Sequence, residues 1–161
     1  MSADVEIIKF RISDVRALRA AAVPQKRLLG PARDLFWEFV RERGVRVVEY
    51  RWSGFYFMSI IGFLEDRLQV NLLEADHDEL ARHIAEIRGI SAFVFTKEHR
   101  ERWMALLGQA ISERELEAYD REFSERQDPD AGRAMHEGIA ALHGALSQID
   151  DDSLVLVCIV T

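Results

Sequence analysis

The chain has 161 residues, 48% of them hydrophobic and 30% charged, with a formal net charge of −7. This length suits one domain over 1–161, and such a domain buries about 70% of its unfolded surface, enough to fold without staples or metals. The single cysteine, Cys158, excludes an intrachain disulfide, and the acidic balance disfavours nucleic-acid binding, which needs a basic face.

No apolar stretch approaches the roughly 20 residues of a membrane-spanning helix. The opening "MSADVEIIKF" carries Asp4, Glu6 and Lys9, unlike the basic start and apolar run of a signal peptide. The expectation is a cytoplasmic protein without membrane association. Charge is unevenly spread. Residues 1–51 hold eleven Lys/Arg against seven Asp/Glu, and residues 52–161 hold ten against twenty-one. The eighteen arginines outnumber the three lysines, as in proteins from GC-rich bacterial genomes.

In chain order, "VEIIKFRI" (5–12) reads as a strand. Ser13 then caps a short helix that Pro24 stops. A second helix opens at Gly30-Pro31, with Ala32, Leu35, Phe36, Phe39 and Val40 as its apolar stripe, and ends at Gly44 in the C′ manner. Three runs follow. Val45–Trp52 alternates, with Val48, Tyr50 and Trp52 on one side and Val47, Glu49 and Arg51 on the other. Ser53-Gly54 signals a turn, and Phe55–Leu64 is apolar on both faces. Arg67–Glu74 alternates again. These runs predict a β-meander over 45–74 whose middle strand is buried in a sheet covered on both sides.

Asp76 and Glu79 form a capping box in type, followed by the stripe Leu80, Ile84 and Ile87, and Gly89 closes the helix. "ISAFVF" (90–95) is a short strand. Thr96 caps the next helix, which ends at Gly108. Ser112 with Glu115 repeats the capping box, and Leu116, Tyr119 and Phe123 face inward. Asp128-Pro129 opens a last helix with the seam Met135, Ile139, Leu142, Leu146 and Ile149. Residues 153–160 form a final apolar strand, placed in the sheet interior because an exposed apolar edge invites aggregation. The predicted class is α+β: a mostly antiparallel sheet, made of the meander and the two terminal strands, packed with five or six helices.

Catalytic motifs are sparse. There is no GxSxG elbow, no phosphate-binding glycine loop and no HExxH pair among His77, His83, His99, His136 and His143. No metal or cofactor is expected, and Cys158 reads as a buried, inert thiol. Enzymatic activity is left undecided, with the balance toward a binding module.

Two surfaces remain as candidates. The first is the acidic helical tract, where Glu115, Glu122, Glu125 and Asp128 would dock a basic protein partner through electrostatic complementarity. Small acidic α+β proteins of this type include bacterial immunity proteins and other inhibitors, an analogy of type and not of residues. The second is the polar meander face. There Glu49, Arg51, Trp52, Gln69 and Asn71 would surround a small molecule, with Glu49 available for acid–base work.

Overall fold

The computed structural model describes residues 3–24, 34–71, 78–124 and 127–160. Among them lie four strands, seven α-helices and one 3-10 turn. The strands are β1 (Asp4–Arg11), β2 (Val45–Arg46), β3 (Ser91–Phe95) and β4 (Ser153–Val160). The helices are α1 (Val15–Ala22), α2 (Leu35–Arg43), α3 (Gly54–Leu68), α4 (Asp78–Arg88), α5 (Lys97–Leu107), α6 (Glu113–Ser124) and α7 (Ala131–Ser147). The protein is α+β, and every strand pairing is antiparallel in the order β2-β1-β4-β3.

β4 lies in the middle of the sheet, and its composition explains why. Seven of its eight residues are buried, through both faces of the pleat. Val155, Val157 and Ile159 point into one apolar cluster with Ile7, Phe93 and Phe95. Leu154, Leu156 and Cys158 point into another with Ile8, Phe10, Ala92 and Val94. Residues of α3, α5, α6 and α7 fill the first cluster, and residues of α1, α2 and α4 fill the second. The sheet is thus covered on both faces, the arrangement that lets a strand be apolar throughout. No helix among the described residues is long and apolar enough to cross a membrane.

The predicted meander is corrected. Among the described residues of 45–74 only Val45 and Arg46 form a strand, and the apolar run after Ser53 is the fifteen-residue helix α3. The physical reasons are legible once the period is read as 3.6. Phe57, Ile60, Ile61 and Leu64 recur at i, i+3, i+4 and i+7 and are buried, while Met58, Glu65 and Asp66 are exposed. Ser53 caps the start by accepting from the Phe55 N–H, and Gln69 ends the helix in the left-handed conformation at φ 54°. The predicted third strand is therefore absent over 67–71, and 72–74 lies outside the described residues.

Two predicted starts are corrected: Ser13 lies inside the 3-10 turn Ile12–Asp14 and does not cap α1, and α2 begins at Leu35, where the Asp34 side chain accepts from the Trp37 N–H. Thr96 and His99 complete a capping box on α5, and the Glu115 N–H donates to Ser112 Oγ at 3.2 Å. Gly89 closes α4 at φ 64°. Gly44 ends α2 in extended rather than left-handed geometry. The Asp76 cap and Pro31 lie outside the described residues. All five seam residues of the last helix are buried. Phe123, expected inward, is 52% exposed and stacks on Tyr119.

Candidate functional site

The chain from β2 to α3 builds the site. β1 offers alternate main-chain groups to its two neighbours, as an antiparallel strand must. The Ile7 carbonyl accepts from the Val47 N–H at 3.2 Å, and the Ala3 carbonyl accepts from the Gly54 N–H at 2.7 Å. Odd-numbered residues of β1 therefore face this side. A regular ladder would set residue 49 opposite Val5 and residue 51 opposite Ala3. Gly54 instead reaches Ala3, so surplus chain bulges outward between the two fixed points. Among the described residues, no hydrogen bond from the 48–53 segment fills the Val5 rung.

The bulge encloses a notch of about 280 Å³ lined by Asp4, Val5, Glu6, Arg46, Val48, Glu49, Tyr50, Arg51 and Trp52. Its charges come in pairs. Arg46 donates to both oxygens of Glu6, at 2.7 and 2.6 Å. Arg51 donates to Glu49 Oε2 at 3.1 Å, and both side chains are largely exposed. That hydrogen bond, and then the charge of Arg51, holds the Glu49 carboxyl below its ordinary range. Glu49 is thus ionised at neutral pH and is a weak base, better suited to recognising charge than to moving protons.

Two aromatic residues fix the bulge. Tyr50 turns inward, donates to the Ala134 carbonyl at 3.1 Å and packs edge-on against Phe57. Burial pushes its phenol above the ordinary value. The half-buried Trp52 donates through Nε1 to Glu137 Oε2 at 2.6 Å, with the Arg133 guanidinium 5.8 Å from its ring centroid. These bonds tie the bulge to α7, and of the alternation predicted over 45–52 only the stretch 48–52 keeps an in–out pattern, since Val47 and Val48 both pack against the same cluster.

The structure therefore brings Glu49, Arg51 and Trp52 together and adds Asp4, Glu6 and Arg46 to them. It does not bring Gln69 and Asn71. They follow the far end of α3, on the order of 20 Å along the helix from Trp52 at 1.5 Å per residue. Asp4, Glu6 and Arg46 were missed because their place depends on a β1–β2 pairing across forty residues of sequence.

The acidic tract is more engaged than its composition implies. Glu115 is exposed on α6. Glu122 is exposed and lies 3.9 Å from Arg67, and Glu117 pairs with Arg121 at 2.7 Å. Asp128 is half-buried and accepts a short hydrogen bond from the Tyr56 hydroxyl. Glu125 lies outside the described residues. The histidines disperse, with His99 buried in a cap and His136 exposed on α7, and His77 lies outside the described residues. Among the described residues no group of three potential ligands could hold a metal ion. The Cys158 thiol is buried and pushed up to about 12 by that burial, with Glu6 adding to it. No protein-family description fits the chain, and no curated protein or solved structure matches it.

Proposed function

We propose that the protein is a binding module whose small, polar ligand seats in the notch beside β1. One observation carries this reading: a main-chain rung at Val5, unfilled among the described residues, lies in a cavity lined by Arg46 and Arg51 and by Asp4, Glu6 and Glu49. Strand groups held by neighbouring rungs are preorganised, so they bind without the entropy cost of ordering a loop. Ligand-detected NMR with a library of small polar metabolites tests it. The expected result is a set of binders lost from an Arg51→Ala, Glu49→Gln protein. An unchanged set of binders on that double variant would overturn the reading.

A second reading, docking of a basic protein on α6 in the manner of an inhibitor, is favoured by Phe123. Its half-exposed ring sits on the same helix as exposed Glu115 and Glu122, and exposed aromatics beside charge suit interfaces. Reversing Glu115 and Glu122 to lysine should abolish capture of such a partner, and intact capture would discard this face. Both readings fit a protein of the cytoplasm.

A further inference from the structure

We infer that the ligand of the notch is a free α-amino acid, held by its ammonium and carboxylate; this rests on the reading of the notch as a binding site. In an antiparallel ladder, paired residues exchange both N–H···O=C bonds. The group that completes the Val5 rung must therefore donate to the Val5 carbonyl and accept from the Val5 N–H. The spacing of those two functions is set by one N–Cα–C unit. An α-amino acid has that unit, with a donor at one end and an acceptor at the other.

The charges around the rung agree with a zwitterion. Arg46 and Arg51 are paired with Glu6 and Glu49, and a zwitterion can exchange into those pairs, its carboxylate taken by an arginine and its ammonium by Asp4 or a released carboxylate. A simple acid or a simple amine would satisfy one half of the rung and leave the other unfilled. A peptide strand is disfavoured by length. The rungs at Ile7–Val47 and Ala3–Gly54 close both ends, four residues of β1 apart, or about 13 Å. The volume of about 280 Å³ lies just below the usual range for sites that take drug-sized ligands and suits a molecule of one residue. Val48 and the half-buried Trp52 supply an apolar wall for a side chain.

The test uses the full chain, labelled with 15N and titrated with the twenty free L-amino acids. For the tightest of them, the N-acetyl derivative and the methyl ester are titrated as well, with acetate and methylammonium as single-charge probes. The expected result is saturable movement of the Val5 amide and the Trp52 indole signals by at least one free amino acid. Acetylation or esterification should each weaken binding about tenfold or more, and so should Arg51→Ala with Glu49→Gln, whose exposed side chains leave folding intact. If a derivative or a single-charge probe moves the same two signals as strongly, the amino-acid assignment falls while the site stands. If no compound moves either signal, the site itself falls.

Discussion

Asp120 shows how one residue can carry more of the fold than its place in an acidic tract suggests. It is 1% exposed, and its carboxylate accepts from the Ser59 hydroxyl at 2.5 Å, while the Ser124 hydroxyl, 3.1 Å from the carboxylate, is closer to the Asp120 main-chain carbonyl at 2.8 Å. A buried acceptor that loses its partner costs about 1–3 kcal/mol. Ser59→Ala should therefore lower stability by about that amount in urea unfolding, and Ser124→Ala, on a longer bond at a less buried site, by less. Equal, negligible effects would mean the carboxylate does not rely on these two hydroxyls. Cys158 gives a second residue-scale expectation. A thiol pushed up to about 12 and fully covered by helices on its face should react with a thiol reagent only through unfolding. Its labelling rate should rise in step with denaturant. Fast labelling in native buffer would show that the sheet opens locally at β4.

At the scale of elements, the contact between α6 and α7 depends on the absence of a side chain. A Cβ on Gly132 would collide with the Glu113 carbonyl oxygen and lie 2.9 Å from its carbon. Alanine favours an isolated helix by about 1 kcal/mol over glycine, but main chain cannot yield as a side-chain tip can. Overpacking of this kind costs about 1–3 kcal/mol, so Gly132→Ala should lower the thermal midpoint, as calorimetry would read. A raised midpoint would mean the two helices separate freely. Elements with punctuation at both ends were legible in the sequence: β1, β3, β4, and the helices capped by Thr96 and Ser112. The run Phe55–Leu64 was not, because a stretch with few polar residues fits a buried helix and a buried strand alike. Its length and the exposed Glu65-Asp66 that follow were the available arbiters. The same misreading placed Gln69 and Asn71 at the candidate site. Glu49, Arg51 and Trp52 were legible because the exposure of Glu49 and Arg51 still alternates with the burial of Tyr50 and Trp52 outside any strand.

At the scale of the whole molecule, the acidic turn after α7 works as a fastener. Lys9 of β1 donates to Asp150 at 2.9 Å and to the Gln148 carbonyl at 2.6 Å, while Lys97 of α5 meets Asp151 at 2.5 Å. Hydrogen bonds from Ser153, then Lys9, hold the Asp150 carboxyl down at about 2. Since the unfolded value is about 3.9, the folded state gains from Asp150 above that pH and loses the gain as pH falls toward 2. Urea midpoints measured at about pH 4.5 and pH 2.5 should therefore converge in Asp150→Asn relative to the parent. An unaltered difference would place the acid sensitivity elsewhere. The position of β4 has a further consequence, in time rather than in space. Ribosomes deliver the chain from its N-terminus, and β1, β2 and β3 all emerge before the strand that joins two of them. Until Ser153–Val160 is synthesised, β1 and β3 have no common partner, and two apolar sheet faces have no centre on which to close. β1 and β2 can pair as they emerge, but β3 must wait unpaired, exposed to chaperones, until β4 joins it to them in a late step.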